Sequence, residues 1–198
     1  MTLLPEERLD DLRRAGLSII QCSDAFCFSI DAVLLAHFAT VKNGDNIIDL
    51  GTGSGVIPLL VSTRGERLSI TGLELNETVA DRARRSVQVN QLAHSISIVQ
   101  GDLKEAAIIF GYERFNLVVS NPPYLPVGIG ETSQGTTRRM ARHEVTTTLR
   151  DVVKSSADLL ATGGRLALVH RPSRMADIFC ALREYRLEPK RFRLVHPA

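Results

Sequence analysis

Short apolar runs alternate with amphipathic segments along most of the chain, and the alternation is regular from residue 46 onward. Runs rich in Ile, Val and Leu favour buried strands, whereas apolar residues spaced by three and four favour helices. The strands predicted on this basis are residues 46–50, 68–73, 95–100, 115–120, 165–170 and 191–196. The predicted helices are residues 56–62, 77–92, 103–110, 147–160 and 174–185, with Asn76 as an N-cap and Gly163-Gly164 as a helix stop. This order predicts an α/β fold, a doubly wound and mostly parallel sheet with helices on both faces.

The segment before residue 41 has a less regular pattern. Residues 6–15 alternate charged side chains with leucines and end at Gly16, which predicts a short amphipathic helix. Two short strands and a buried apolar helix are predicted next, in residues 17–21, 25–28 and 29–38. We therefore expect residues 1–40 to form an N-terminal extension and residues 41–198 to form one compact domain.

Composition and charge say more about the cellular compartment of the protein than about its function. The 198 residues carry 24 Lys and Arg against 22 Asp and Glu, so the overall charge says little about partners. No apolar run approaches the roughly 18 residues of a membrane span, and the start lacks the features of a signal peptide. Three cysteines, an odd number, suit a reducing cytoplasm, and no Cys/His pairs have zinc-ligand spacing. These features predict a cytoplasmic protein with no metal and no membrane partner.

A glycine-rich loop lies between the first regular strand and the helix after it. Its sequence is Asp49-Leu50-Gly51-Thr52-Gly53-Ser54-Gly55, and glycines at such a turn let the backbone approach a ligand closely. A dinucleotide fingerprint would place its third glycine at residue 56, where Val56 stands. Asp49 would repel a phosphate but attract a sulfonium or an ammonium group.

Two acids follow the next two strands. Glu74 closes the second strand of the regular region, where it can accept hydrogen bonds from two ribose hydroxyls. Asp102 follows the third strand, where it can accept from an adenine amino group. Ordinary turn and cap chemistry is the alternative interpretation of these acids.

The turn Asn121-Pro122-Pro123-Tyr124 follows an apolar strand. Two prolines cannot continue a strand, so the turn is stiff. An amino group on a flat conjugated system is a poor nucleophile until its hydrogens are held. The Asn121 side-chain oxygen and the Pro122 carbonyl can each accept one N–H, while Tyr124 stacks on the ring. The alternative is that the prolines only end the strand.

The order of these motifs resembles that of class I S-adenosylmethionine-dependent methyltransferases. The resemblance implies S-adenosyl-L-methionine as cofactor, S-adenosyl-L-homocysteine as product, and an sp2-bound amino group as acceptor. The residues it implies at the cofactor are Asp49, Gly51, Gly53, Gly55, Glu74, Leu75, Asp102, Leu103 and Asn121. It also implies a final antiparallel strand, which would lie beyond Ala198 unless the strand count is off by one.

The chain as a whole resembles the tRNA1(Val) (adenine-37-N6)-methyltransferase family. The matching segments are residues 8–12, 19–21, 26–36, 142–144 and 170–172. The resemblance implies methylation of an adenine beside the anticodon, and an N-terminal extension that packs over the cofactor site. Phe26, Phe28 and Asp31 would then cover the donor, although core packing is an equal alternative for the two phenylalanines. The arginines expected to contact RNA phosphates are Arg138, Arg139, Arg142 and Arg171.

Other functions share these motifs. A protein glutamine methyltransferase uses the same turn, because a glutamine amide presents the same poor nucleophile, but residues 1–40 are few for the helical domain that such enzymes carry. Amino groups of rRNA or DNA bases are further acceptors. A binding module that has lost catalysis is disfavoured by the intact acids and Asn121. No feature indicates a protein partner.

Overall fold

The protein is described here from a computed structural model that covers residues 3–23, 27–122 and 147–196. The strands are β1 (Glu7–Asp11), β2 (Ser18–Cys22), β3 (Asn46–Leu50), β4 (Ser69–Glu74), β5 (Ile96–Gln100), β6 (Phe115–Ser120) and β7 (Leu160–Leu168). The helices are α1 (Ile30–Phe38), α2 (Val56–Ser62), α3 (Glu77–Val89), α4 (Ala106–Phe110), α5 (Leu149–Leu159) and α6 (Met175–Glu184), with single 3₁₀ turns at Leu103–Glu105 and Pro172–Arg174. None of the helices in these ranges is long and apolar enough to cross a bilayer.

Five parallel strands form the central sheet, in the order β5-β4-β3-β6-β7. The chain moves outward from β3 to β5 and then returns to the other side of β3 with β6. This reversal is a topological switch point, and ligands of open α/β sheets bind at the carboxyl ends of the strands there. The predicted α/β fold is confirmed.

The sheet is covered on both faces. Ile47 and Leu117 pack in a cluster with α1, α2 and α3, whereas Ile48 and Val118 pack in a second cluster with α4 and the end of α5. Successive strand residues thus point into different apolar layers. This double burial explains why the strands are continuous apolar runs rather than alternating ones.

The helix predicted for residues 6–15 is wrong. Glu7–Asp11 is a strand that pairs antiparallel with Ser18–Cys22, and the Leu12 N–H donates across the hairpin to the Leu17 carbonyl at 2.9 Å. Consecutive charged residues stand on both sides of Leu9, so this segment has no clear period of its own, and its pairing with β2 decides that it is a strand. Left-handed residues at the hairpin tip, with φ of 49° at Arg13 and 70° at Gly16, make the turn.

The hairpin is fastened to α3 through a covered carboxylate. The Glu7 side chain is 2% exposed and forms ion pairs with Arg85 at 2.6 Å and Arg82 at 3.3 Å. The hydrogen bond from Arg85, helped by one from the Leu4 N–H, lowers the pKa of Glu7 to about 2 against the opposing effect of burial. The backbone N–H of Ile20 donates to Ser86 on the same helix. The N-terminal extension is therefore packed on the helix that follows β4.

The predictions for the last part of the chain need two corrections. Residues 191–196 form no strand and are exposed. Their apolar residues alternate with arginines, as in an edge strand, but no described strand pairs with them. Gly163-Gly164 does not separate helix from strand, because β7 begins at Leu160 directly after α5 and includes both glycines. The strand carries an irregularity there, between the pairs Phe115–Leu160 and Leu117–Arg165, and Gly163 has a φ of 76°.

The strand predicted at residues 25–28 is only partly testable. Residues 25 and 26 lie outside the described ranges, and Cys27 and Phe28 belong to no strand.

Candidate active site

The glycine loop leaves β3 and is held by the end of β4. The N–H groups of Gly51 and Thr52 both donate to the carbonyl of Leu73, at 2.9 and 3.0 Å. Gly51 and Gly53 have φ of 75° and 55°, and a Cβ at either would meet no heavy atom within 4 Å. These two glycines thus border open space at the carboxyl edge of the sheet.

Gly55 has a different role in the loop. Its φ is 84°, and a Cβ there would lie 3.3 Å from the Cβ of Ala83 in α3. This glycine allows the loop and α2 to pack closely against α3, so it supports the site rather than facing a ligand.

Asp49, the acid before the loop, is fully buried. Neither of its carboxylate oxygens has a hydrogen-bond partner among the described residues, and the Thr52 hydroxyl is also unpaired. Burial raises the pKa of Asp49 to about 7; the nearby Thr52 hydroxyl offsets part of this, and the charge of Glu74 adds to it. A buried carboxylate without a partner is costly, so this group is suited to meet a cationic ligand. Thr52 was not singled out in the sequence, although its place between two loop glycines was a usable signal.

Glu74 links the glycine loop to the start of α3. One of its oxygens accepts from the Gly53 N–H and the other from the Asn76 N–H, each at 2.9 Å. Each carboxylate oxygen retains a further lone pair. Glu74 therefore stands at the end of β4 with both oxygens held in place and acceptor capacity left over.

Asp102 caps the 3₁₀ turn after β5. Its carboxylate accepts from the Lys104 N–H at 2.9 Å, which is the cap chemistry named as the alternative. Leu103 packs partly into the second apolar cluster, and Leu75 is 41% exposed. A hydrogen bond of 3.0 Å from Gln100 to the Leu75 carbonyl joins the segments that follow β4 and β5.

Asn121 and Pro122 follow β6, the strand on the other side of β3. The buried Ser120 hydroxyl donates to the Leu50 carbonyl at 2.8 Å, which ties the end of β6 to the start of the glycine loop. Pro122 is buried and Asn121 is half-buried. Pro123 and Tyr124, the rest of the turn, lie outside the described residues.

Gln21 links the hairpin of the extension to the segment that leads into α1. This buried side chain accepts from the Phe28 N–H at 3.0 Å and donates to Asp10 at 2.6 Å. Phe28 packs against the first apolar cluster, and Asp31 is in the first turn of α1. Core packing of Phe28 is thus observed, while Phe26 is outside the described ranges.

Among the residues expected to contact RNA, Arg171 is the one that the structure describes. It is exposed and follows β7, and its N–H donates to His170 Nδ1 at 2.9 Å. Burial, with the charge of Arg174 second, lowers the pKa of His170. Arg138, Arg139 and Arg142 lie outside the described residues.

The residues at this edge fit an adenosine-bearing sulfonium donor. The unpaired Asp49 carboxylate suits a positive group, the two open glycines admit a close approach, and Glu74 has free lone pairs. Within the described ranges, no cluster of three or more His, Cys, Asp or Glu residues has the geometry of a metal site.

Comparison with known protein families gives a match over most of the chain. The family model described as methyltransferase small domain matches residues 29–184. A tRNA1(Val) (adenine(37)-N6)-methyltransferase of Porphyromonas gingivalis is 31% identical over 179 residues, which are 87% of this chain and 69% of that protein. The chain spans 62–69% of the length of this and three further relatives of the same name.

Solved structures have the same fold. A predicted O-methyltransferase from Agrobacterium tumefaciens superposes with a TM-score of 0.59 at 28% identity, over 77% of this chain and 66% of that chain. TrmN from Thermus thermophilus superposes with a TM-score of 0.57 at 24% identity, over 80% of this chain and 40% of that chain. At that identity the second likeness supports the fold alone.

Proposed function

The chain belongs to the methyltransferase small domain family, and on this basis we propose that it methylates the N6 amino group of an adenine in tRNA, adenine 37 beside the anticodon. Its cofactor is S-adenosylmethionine, which supplies an electrophilic methyl group and leaves as S-adenosylhomocysteine. A tRNA substrate would place the enzyme in the cytoplasm, in agreement with its cysteine content.

The observation that carries the proposal is the junction of β6 with the glycine loop. The bond from Ser120 to Leu50 brings the Asn121-Pro122 segment beside the loop that borders the donor site. The Asn121 side-chain oxygen and the Pro122 carbonyl would accept the two N–H bonds of the adenine amino group. The nitrogen would then point at the methyl group, and this positioning supplies much of the catalysis. Tyr124 would stack on the base after it leaves its neighbours in the RNA.

Donor binding is divided among the ends of three strands. Glu74 would accept from the ribose hydroxyls with its remaining lone pairs. Asp102 has one oxygen beyond the one that caps its 3₁₀ turn, and this oxygen would accept from the adenine amino group. Leu75 and Leu103 would flank that ring, and Asp49 with the loop glycines would hold the charged end of the donor.

The N-terminal extension completes the donor site in this proposal. Gln21 fixes the backbone at Phe28, and Asp31 follows at the start of α1. Both side chains would then cover the bound donor. Arg171, together with Arg138, Arg139 and Arg142, would contact the phosphates on either side of the target base.

Transfer of a labelled methyl group tests the proposal. The protein is incubated with methyl-labelled S-adenosylmethionine and unmodified tRNA, and the tRNA is digested to nucleosides. We expect the label in N6-methyladenosine. A parallel sample with a glutamine-containing release-factor protein should remain unlabelled, as should rRNA and DNA. Label in glutamine, in another nucleoside or in none of these acceptors would overturn the proposal.

A further inference from the structure

Five cationic or titratable side chains lie at or next to the C-terminal end of α1, at the opposite end of α2 from the glycine loop. This basic patch consists of Arg13, Arg14, His37, Arg64 and Arg191. Four of these residues are exposed and Arg64 is half-buried. They come from the hairpin tip, α1, the α2–β4 connection and the segment after α6, so only the tertiary structure assembles them.

Direct contacts place four members of the patch at this helix end, and Arg13 is the chain neighbour of Arg14. Arg14, His37 and Arg64 line one small depression together with Thr63, whose hydroxyl accepts from Arg14 at 3.3 Å. Arg64 donates to the carbonyls of Ala36 and Ala39, at 3.0 Å for the second. These carbonyls form the negative end of the α1 dipole, which attracts cations.

Arg191 extends the patch around the same helix end. Its guanidinium donates to the Phe38 carbonyl, and its central carbon lies 4.2 Å from the centre of the Phe38 ring. Two more basic residues, Lys190 and Arg193, flank it in the exposed segment.

The charge of the patch exceeds what its surroundings neutralise. None of its four arginines forms an ion pair with a carboxylate in the described ranges. Arginines elsewhere do so, as Arg84 and Arg85 show at 2.8 and 2.6 Å. Asp11 lies beside Arg13 and accepts a hydrogen bond from its backbone N–H at 2.7 Å, and the helix end adds about half a negative charge, so the four arginines exceed both together. A surplus of fixed positive charge is thus left for an external anion.

The position of the basic patch relative to the candidate active site suggests which kind of anion binds it. Helix α1 begins beside Phe28 and Asp31 and ends at the patch nine residues later, so the two ends are about 13 Å apart. Helix α2 runs in the same way, from the glycine loop at Gly55 to Thr63 and Arg64 at the patch. A long polyanion that enters the site could therefore follow α1 to the patch.

We propose that the basic patch binds phosphates of the tRNA at a distance from the target base, as a second anchoring point beyond the active site. This inference rests on the proposed function, since it takes tRNA as the substrate. Guanidinium forks match phosphate oxygens, and the Thr63 hydroxyl adds a donor. Such contacts position an RNA without reading its sequence.

The test neutralises the two arginines at the hairpin tip, which no described helix or strand needs. The double variant Arg13→Gln/Arg14→Gln is compared with the wild type for binding of full-length tRNA at several salt concentrations. We expect tRNA affinity to fall roughly tenfold and the slope of log Kd against log salt to decrease by about 1 to 2. The KM for tRNA should rise while kcat at saturating tRNA is kept.

A matched control removes the same charge elsewhere. Arg84→Gln/Lys154→Gln lies on α3 and α5, away from the patch, and should leave affinity and salt slope near those of the wild type.

The outcomes separate this inference from the proposed function. If the wild type methylates tRNA and the hairpin variant binds full-length tRNA with unchanged affinity and slope, the anchoring role is wrong and the proposed function stands. An equal loss in the control variant would also overturn the anchoring role. If the wild type methylates no tRNA, the proposed function fails, and this inference fails with it.

Discussion

At the scale of single residues, the site contains one acid without a hydrogen-bond partner and two acids whose carboxylates accept hydrogen bonds. Asp49 is buried without a partner, whereas Glu74 and Asp102 each accept backbone N–H bonds. A polar group that is left unpaired in a folded protein costs free energy, and it is retained where a ligand completes it. This contrast points to Asp49 as the residue whose charge state responds most to the donor.

The first prediction concerns the pH dependence of Asp49. Its folded pKa of about 7 lies above its ordinary value of 3.8, so the folded protein binds more protons than the unfolded chain between these values. The free energy of unfolding without donor should therefore fall as pH rises through this window. Urea unfolding from pH 4 to 8 measures it. Asp49→Asn should flatten that part of the profile, and an unchanged profile would contradict the assignment.

The second prediction concerns the acceptor turn. Asn121→Ala should lower the transfer rate at least a hundredfold, because the amino hydrogens lose one acceptor, while donor affinity stays within a few-fold. Single-turnover rates and calorimetric titration with the donor measure the two quantities. The matched control is Asn116→Ala, at the amino end of the same strand, where the side chain accepts from the Asn46 N–H. A variant of Asn121 that keeps most of its turnover would disprove the role.

At the scale of elements, the hairpin is held by α3 as well as by the pairing of its own two strands. A two-stranded hairpin is marginal in water, and here Glu7 and Ile20 are bonded to α3 side chains and Ser18 to Asn90, the C-cap of that helix. The same extension leads through Gln21 and Phe28 to the start of α1. Loosening the hairpin should thus be felt at the donor site.

The third prediction tests that dependence with Glu7→Gln. Removing the charge takes the Glu7 carboxylate from Arg82 and leaves Arg85 with Asp81 alone, so the protein should lose about 1–3 kcal/mol at pH 7. Because the folded pKa of Glu7 is about 2, the wild-type contribution should disappear as pH falls from 4.5 toward 2. Urea unfolding measures both effects. Glu77→Gln breaks an exposed pair on the same helix and should change stability little.

At the scale of the whole molecule, the reversal of strand order brings the candidate site residues together. The loop after β3, the acids after β4 and β5 and the turn after β6 all meet at one edge of the sheet. A ligand that touches several strand ends should stabilise the entire fold, since none of these contacts survives in the unfolded chain.

The fourth prediction follows from that linkage. Saturation with S-adenosylmethionine at about 100 times its Kd should add roughly 2.7 kcal/mol to the free energy of unfolding. Glu74→Ala should weaken donor binding by about 1.5–3 kcal/mol and reduce the shift of Tm at the same donor concentration. Thermal unfolding with and without donor measures this. An unaltered shift in the variant would remove Glu74 from the donor site.

Long elements with one dominant pattern were predictable from the sequence, and short ambiguous ones were not. The bounds of β3, α2 and β6 agree with the prediction, because continuous apolar runs and flanking glycines or prolines leave few alternatives. In residues 6–15 two leucines three apart satisfy the helical period, although Glu7–Asp11 forms a strand and the residues after it make the hairpin turn. The prediction of a strand at residues 191–196 is wrong. Apolar and basic residues alternate there, but no described strand lies beside them to pair with.

The sequence by itself determined the order of the site: a glycine loop, two acids and an Asn-Pro turn, each after an apolar strand. Local chemistry is enough for this, since a turn needs glycine or proline wherever it lies. Only the tertiary structure decided that Asp49 is buried without a partner, that Glu7 fastens a hairpin to α3, and that five distant basic residues meet at the end of α1. Burial and charge surplus depend on which segments come together, and that is a property of packing rather than of any one segment.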